Sequence, residues 1–226
     1  MNRRVQASST MRKANRNKGA YWLVYPAGFF LAVLIILNSF FFILNDREFY
    51  AEQIEANKVI VGSNELNATF MLIDYLNGKT SIDDFGDFFS EKERIHLDDV
   101  KRLIDTARYI AFALVAVLAA FFIWAAYSRD FIDLSLRALK SAGFTCIGLL
   151  LFAVIMLLNF NSSFITFHEI LFTNDYWVLD PATDHLIQLF PQAFFEAFAL
   201  RMVLFSAFSS AVLIAAGYLI RYANRF

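Results

Sequence analysis

Three histidines, His96, His168 and His185, are the side chains of this chain best suited to moving protons near neutral pH. An unperturbed imidazole has a pKa of about 6.5, so it exchanges protons under physiological conditions. All three lie close to long apolar segments. Asp99 lies one helical turn after His96, and Glu169 directly follows His168. The pattern is compatible with acid–base catalysis, although a lone histidine at a membrane surface more often has a purely structural role.

The segment 167–181 stands out because it combines His168 with aromatic residues and carboxylates and contains no Lys or Arg. The wider segment 161–197 also lacks cations and carries five acids: Glu169, Asp175, Asp180, Asp184 and Glu196. It lies between two apolar segments and must therefore emerge at a membrane surface. Its composition favours a lipid-like ligand.

Several other kinds of chemistry lack their sequence patterns. A GxSxG nucleophile elbow, a glycine-rich phosphate loop and an HExxH zinc motif are all missing. The single Cys146 lies inside an apolar segment and has no partner within the chain. The predicted outer side has no patch of basic and aromatic residues that would bind nucleic acid. We predict no cofactor, no metal and no nucleic acid, and keep a metal-dependent membrane hydrolase as an alternative.

The composition places the chain among membrane proteins. Of its 226 residues 58% are hydrophobic, and 27 are Phe. Four apolar windows are long enough to cross a bilayer as helices, at about 20–44, 103–127, 142–160 and 198–220. We predict an all-α integral membrane protein with a four-helix transmembrane bundle. Residues 1–19 are predicted to be a basic tail, and 20–226 a single membrane domain.

The distribution of charge predicts the orientation. Six cations and no acid precede Tyr21, whereas 45–106 carries 14 acids and seven cations. Because Lys and Arg accumulate in cytoplasmic flanks, both termini are predicted to be cytoplasmic. The outer loops, at about 45–102 and 161–197, then hold all three histidines on the extracytoplasmic side. The first span is predicted to be an uncleaved signal anchor.

The first outer loop has enough helical pattern to form a small extracytoplasmic cap. Apolar periodicity predicts helices over 46–61 and 65–76. Ser90 and Glu93 have the spacing of a capping box, which would start a helix that continues into the second span. On that helix, one face is shared by His96, Val100, Leu103 and Ala107. The 128–140 connection is amphipathic and predicted to lie at the interface.

Two stretches resemble the lipoprotein intramolecular transacylase family of bacterial four-span membrane proteins. The long one consists of Phe167-His168, Phe172, Asn174, Trp177, Leu179-Asp180-Pro181, Thr183-Asp184, Leu186-Ile187, Leu189-Phe190-Pro191 and Phe194-Phe195. The short one is Glu93-Arg94-Ile95-His96-Leu97-Asp98-Asp99-Val100-Lys101, where Leu97 replaces a Met common in the family. Both stretches fall in the expected order, so the resemblance covers most of the chain.

The resemblance implies an acyltransferase of the bacterial cytoplasmic membrane. Its substrate would be a lipoprotein whose N-terminal cysteine carries a diacylglyceryl group. The sn-2 acyl chain would move onto the α-amino group of that cysteine, giving a lyso-form lipoprotein. His96 and His168 match the two histidines on which the family's chemistry depends, whereas His185 lies outside the motif positions.

This reaction agrees with the residues present. An intramolecular transfer gains much of its rate from proximity and requires no enzyme nucleophile, only a general base and a general acid. We expect His168 to be the base, with Asp99 or Glu169 orienting the imidazoles. The oxyanion donors are expected among Asn174, Tyr176 and Trp177, and Asp180 and Asp184 would help attract the ammonium group.

The competing hypothesis is a non-enzymatic four-span protein that binds a lipid or protein partner through its outer cap. It predicts that His96 and His168 lie more than about 10 Å apart, too far to share one bridging substrate group.

Overall fold

The computed structural model describes residues 21–59, 65–128 and 130–223. These residues form eight α-helices and one 3₁₀ helix, without any β-strand. The α-helices are α1 (Val24–Leu44), α2 (Arg47–Ala56), α3 (Glu65–Leu76), α4 (Glu91–Ala126), α5 (Phe131–Leu158), α6 (Phe160–Leu171), α7 (His185–Leu189) and α8 (Gln192–Ala223), and the 3₁₀ helix is Ile82–Phe85. The predicted all-α class is confirmed. The predicted basic tail, 1–19, lies outside the described residues.

Four helices, α1, α4, α5 and α8, are long and apolar enough to cross a membrane. The four predicted spans are therefore confirmed as helices of the required kind. Within α4, residues 91–105 carry nine charged side chains, whereas 109–126 carry none. The segment 109–126 is thus the part suited to the hydrocarbon core, and His96 lies outside it.

The short helices differ partly from their prediction. Helix α3 has the predicted bounds. Helix α2 begins after its N-cap Asp46, as expected, but ends at Ala56 instead of continuing to 61. It stops there because the Asn57 side chain donates to the Gln53 carbonyl, 2.8 Å away, and Lys58 adopts a left-handed φ of 50°. Residues 60 and 61 lie outside the described part of the chain.

The start of α4 is fixed by the predicted capping box. The Ser90 amide donates to Glu93 Oε2 at 2.8 Å, and the Glu93 amide donates to Ser90 Oγ at 3.4 Å. This exchange satisfies two backbone N–H groups that a helix start would otherwise leave unpaired. Residues 131–140 of the predicted interfacial connection form the first turns of α5, which runs without a break from Phe131 into its apolar part.

The chain divides into two compact units. The first comprises Met1–Ile35, Phe112–Leu150 and Ser206–Phe226, and the second comprises Ile36–Ala111 and Leu151–Phe205. In the first unit α1 and α5 pack closely, since a Cβ added at Gly28 would lie only 2.5 Å from Ser141 Cβ. Such small contacts are typical of helix pairs in membranes.

The second unit contains His96 and His168 and a core rich in aromatic residues. Its buried side chains come from α1, α2, α3, α4, α7 and α8 and from the turn around the 3₁₀ helix; they include Phe49, Tyr50, Tyr75, Phe85, Phe89, Phe190 and Phe194. Large rings bury much apolar area for little loss of side-chain entropy. The core therefore holds together the short helices and the charged start of α4.

Candidate active site

The rings of His96 and His168 lie side by side in the second unit. Their centroids are 6.0 Å apart, with an angle of 38° between the ring planes. His96 comes from the start of α4 and is 6% exposed, and His168 comes from α6 and is 7% exposed. Two imidazoles from separate helices therefore meet in one buried place, within the distance that distinguishes the enzyme from the competing hypothesis.

Aromatic rings surround His168. Its ring centroid lies 4.2 Å from Phe164, 5.5 Å from Phe172 and 5.0 Å from Trp177. Phe172 also contacts His96, at 5.2 Å. These rings exclude water from both imidazoles and hold His168 in one orientation. Phe164 and Phe172 are site residues that the sequence prediction did not select.

The backbone determines the tautomer of His168. Its Nδ1 lies 2.7 Å from the carbonyl oxygen of Phe164, one turn earlier on α6. A carbonyl oxygen only accepts hydrogen bonds, so Nδ1 must carry the proton. In the neutral ring Nε2 then holds the lone pair. His168 is thus prepared to accept a proton at Nε2, as a general base must.

His96 differs from His168 in its hydrogen bonding. Its Nδ1 is buried and has no hydrogen-bond partner among the described residues. A buried polar atom without a partner is costly and uncommon outside functional sites. The unused nitrogen leaves this imidazole available for a group brought by a ligand.

Both imidazoles are held in their neutral form. The pKa of His96 is lowered to about 4, mainly by burial and also by the neighbouring His168, while Asp99 partly opposes both effects. Burial also lowers the pKa of His168, against the effect of its hydrogen bond to the Phe164 carbonyl. At neutral pH the pair therefore offers one lone pair and one N–H on each ring.

Asp99 joins the His96 helix to the loop after α6. The Asn174 amide donates to Asp99 Oδ2 at 2.9 Å, and Arg102 lies 3.6 Å from Asp99 Oδ1. Asn174 Oδ1 in turn accepts from the Tyr176 backbone amide at 3.2 Å. The carboxylate thus positions the loop that carries Trp177 and also acts electrostatically on His96.

Three further predicted site residues, in α6 and in the loop after it, differ in their exposure and in their contacts. Trp177 packs against His168 with the two rings tilted by 32°, and its indole N–H donates to no described residue. The Tyr176 side chain is 41% exposed and has no hydrogen bond within the described chain. Glu169 is exposed and forms neither a hydrogen bond nor an ion pair with the described residues, although it directly follows His168.

Asp180, Asp184 and His185 serve the local structure. The Asp180 amide donates to Asp184 Oδ2 at 2.7 Å, and the Ala182 amide donates to Asp180 Oδ1 at 2.9 Å. Nδ1 of His185 lies 2.6 Å from the Phe88 carbonyl oxygen. These bonds shape the turn before α7 and attach it to the loop before α4, and none of them leads to His96 or His168.

Glu93 is a buried carboxylate that the sequence analysis used for the capping box and for the short family motif but did not name as a site residue. It is 2% exposed. Its Oε2 accepts from the Ser90 amide and hydroxyl, each at 2.8 Å, and its Oε1 accepts from the Leu186 amide at 2.6 Å. Beside it, Lys92 donates to the Val178 carbonyl. The capping-box spacing revealed the first contact, but no local pattern reveals a partner on α7.

A family model described as lipoprotein intramolecular transacylase Lit matches residues 26–195, which include both histidines. The chain belongs to this family. The main interpretation of the sequence is thereby supported over the non-enzymatic one, and the protein is a membrane-integral acyltransferase. No curated protein matches the chain significantly.

Solved structures of the same family share the fold of this transacylase. The membrane integral lipoprotein intramolecular transacylase Lit from Bacillus cereus has 22% identity to it and a TM-score of 0.78, over 94% of this chain and 100% of that one. Two mutants of the Bacillus protein, in which a histidine is replaced by arginine or by alanine, give TM-scores of 0.73 and 0.72. The match to the arginine mutant covers 97% of this chain and 98% of that one. The match to the alanine mutant covers 96% of this chain and 100% of that one, and both have 22% identity.

The single cysteine of this transacylase does not belong to the unit that contains the two imidazoles. Cys146 is buried in the first unit, where it accepts from Ser210 at 2.7 Å. Among the described residues no group of three or more His, Cys, Asp or Glu could hold a metal ion. The site offers proton transfer and hydrogen bonding from two imidazoles.

Proposed function

We propose that this transacylase moves the sn-2 acyl chain of a diacylglyceryl-modified N-terminal cysteine onto the α-amino group of the same cysteine. The observation that carries the proposal is the pair of buried neutral imidazoles, 6.0 Å apart. Nucleophile and ester belong to one molecule, so the protein needs to hold them together and to move protons. Proximity of this kind is worth roughly 7–11 kcal/mol in favourable cases.

The first step is deprotonation of the amine. Nε2 of His168 takes one proton from the α-ammonium, and the resulting amine attacks the sn-2 ester carbonyl. A C–N bond forms, and the carbonyl oxygen becomes an oxyanion. The hydrogen bond from Nδ1 to the Phe164 carbonyl supports this step because it stabilises the imidazolium that forms.

The second step is collapse of the tetrahedral intermediate. The C–O bond to the glyceryl sn-2 oxygen breaks, the amide nitrogen loses its second proton, and the alkoxide gains one. His168 first releases the proton of the first step to solvent, and its Nε2 then takes up the second proton from nitrogen. His96 relays this proton to the alkoxide, because it can receive a proton at one ring nitrogen as it donates from the other. The products are an N-acylated cysteine and a free sn-2 hydroxyl, with one proton released to solvent overall.

The oxyanion needs donors in addition to the two histidines. The indole N–H of Trp177 is suited to this role because its ring lies against His168 and the N–H is uncommitted within the described chain. Asn174 has one amide N–H engaged with Asp99 and a second that remains available. Tyr176 is the weaker candidate donor, because its side chain is 41% exposed. Glu169, which is exposed, would attract the ammonium group, and Asp180 and Asp184 in the turn before α7 would add negative charge.

A diacylglyceryl lipopeptide with a free N-terminal amine tests the reaction. Because substrate and product are isomers of equal mass, tandem mass spectrometry must locate the acyl chain, with a deuterated acyl group at sn-2. The label is expected on nitrogen, together with loss of amine reactivity. A lipopeptide with an acetylated amine is the matched control and should remain unchanged. The proposal fails if the free-amine substrate keeps its label at sn-2.

We also propose that both termini are cytoplasmic and that the site lies on the outer side of the bacterial cytoplasmic membrane. The basic flanks and the acidic 45–106 segment support this orientation. A C-terminal green fluorescent protein fusion should fluoresce, whereas a C-terminal alkaline phosphatase fusion should be inactive. The opposite pattern would reverse the orientation.

A further inference from the structure

A groove between the first turns of α5 and the last turns of α8 combines an apolar floor with two cations. It has a volume of about 190 Å³, and its lining includes Lys140, Phe144 and Ile147 on α5 and Ile214, Tyr218 and Arg221 on α8. All lining residues belong to the first unit, whereas His96 and His168 belong to the second. The groove is therefore separate from the residues used in the proposed reaction.

Two glycines make the groove possible. A Cβ added at Gly143 would lie 2.7 Å from Ile214 Cδ1, so α5 and α8 approach closely at this point. A Cβ added at Gly217 would lie 3.4 Å from Leu139 Cδ1. Beside this close approach Phe144 is 77% exposed and Ile147 is 50% exposed. In a membrane-crossing helix pair, such an apolar furrow faces acyl chains.

The two cations of the groove, Lys140 and Arg221, lie at the end away from Phe144 and Ile147. Lys140 Nζ is 6.0 Å from the centroid of the Tyr218 ring, and Arg221 lies within one turn of Tyr218 on α8. Within the part of the chain that the structure describes, neither Lys140 nor Arg221 forms an ion pair. Arg137, one turn before Lys140 on α5, is different because Asp133 neutralises it at 2.9 Å.

We infer that this groove binds one phospholipid with a net negative headgroup. The phosphate would lie between Lys140 and Arg221, where the Tyr218 hydroxyl can donate to it, and one acyl chain would cover Phe144 and Ile147. Two unpaired cations above an apolar furrow match an anionic lipid in charge and in polarity. A zwitterionic lipid offers the same chain but leaves the second cation uncompensated.

The site is expected in the cytoplasmic leaflet. The groove is formed by the residues next to the 128–140 connection and the C-terminus, which the distribution of Lys and Arg assigns to the cytoplasm. That leaflet supplies anionic lipids continuously. An anionic lipid at this place would hold α5 against α8, and it is neither substrate nor product of the proposed reaction.

Native mass spectrometry of the full-length protein tests the inference. The protein is released from micelles containing phosphatidylglycerol and phosphatidylcholine with identical acyl chains in equal amounts. The wild type is expected to retain phosphatidylglycerol in preference, on the order of tenfold. The double variant Lys140→Gln/Arg221→Gln should bind the two lipids equally, and Lys140→Gln alone should show an intermediate preference.

Arg137→Gln is the matched control because it removes a cation of the same helix that does not line the groove. It should retain the wild-type preference, and all variants should keep transacylase activity and thermal stability sufficient for the measurement. The inference is overturned if the wild type binds both lipids equally or if the double variant keeps its preference for phosphatidylglycerol. It is also overturned if Arg137→Gln loses as much of this preference as the double variant does. It is also overturned if soluble glycerol phosphate displaces the lipid at equal concentration, because the acyl chain would then contribute nothing.

Discussion

The imidazole of His168 donates from Nδ1 to the Phe164 carbonyl oxygen, one turn earlier on the same helix, at 2.7 Å. This bond leaves Nε2 as the basic atom and fixes the direction of its lone pair. It also gives the two histidines different roles, since His96 has no comparable partner among the described residues.

Replacement of either paired histidine should abolish most of the activity. His96→Gln and His168→Gln keep a polar side chain of similar size but cannot exchange a proton at neutral pH. Transacylation of the labelled lipopeptide is expected to fall at least about a hundredfold in each variant. His185→Gln is the control with the same chemical change outside the pair, and it should stay within a few-fold of wild type. Equal losses in all three variants would contradict the assignment.

The dependence of kcat/KM on pH should have an acidic limb below pH 6.5. His168 must be neutral to act as a base, and burial lowers its pKa from the ordinary value of about 6.5. Activity is therefore kept as the pH falls through 6.5 and is lost only below it. An acidic limb at or above pH 6.5 would exclude a buried imidazole as the base.

Thermal stability should decrease as the pH falls from 7 to 5, and part of this decrease should come from His96. Its folded pKa is about 4, whereas the unfolded side chain titrates at about 6.5. Between these values the unfolded chain binds a proton that the folded chain does not, so lowering the pH favours unfolding. Differential scanning fluorimetry in one detergent should show a smaller decrease for His96→Gln. Identical pH profiles would show that His96 is not held neutral.

Replacement of Glu93 should destabilise the protein more than replacement of any exposed acid on α4. Glu93→Ala leaves the buried amide of Leu186 and the part-buried amide of Ser90 without an acceptor, which costs about 3 kcal/mol. Glu91→Ala, at the exposed first residue of the same helix, removes an equal charge and should cost well under about 1 kcal/mol. Equal shifts in the unfolding transition would mean that the contact between α4 and α7 contributes no stability.

Loss of Asp99 should impair catalysis through the loop that it positions. Asp99→Asn keeps an acceptor for the Asn174 amide but removes the charge that opposes the lowered pKa of His96. Asp99→Ala removes both the acceptor and the charge. The alanine variant is therefore expected to lose about tenfold in kcat/KM, as expected for a misplaced supporting group, and the asparagine variant less. Arg102→Gln is the control, since it removes only the exposed partner of Asp99. If Asn and Ala variants are equally impaired, the charge matters and the bond to Asn174 does not.

Much of the fold could be predicted because its signals are local. Four apolar windows of about 20 residues are enough to predict four membrane helices. The bounds of α3 and the capping box of α4 follow from periodicity and from two residues, Ser90 and Glu93. The end of α2 at Ala56 was missed, because the stop comes from the Asn57 side chain and the left-handed Lys58. Neither residue is a strong helix breaker by type.

The site was only partly predictable. Sequence reasoning selected His96, His168, Asp99 and Trp177, which the fold brings together. It also selected Asp180 and Asp184, whose hydrogen bonds shape a turn, and Glu169, which is exposed. It did not identify Phe164 or Phe172 as walls of the site, nor the long-range partner of Glu93. Twenty-seven Phe residues make any single ring uninformative until its neighbours are known.

The sequence by itself determined the membrane class, the four spans, the presence of titratable side chains near their ends and the family resemblance. These properties depend on composition and on spacing within one segment. Only the tertiary structure decided that two imidazoles from α4 and α6 meet at 6.0 Å, that burial keeps both neutral, and that Nε2 of His168 is the basic atom. Such facts arise from contacts between segments distant in the chain, which desolvate a side chain and assign its hydrogen bonds, and no local pattern records them.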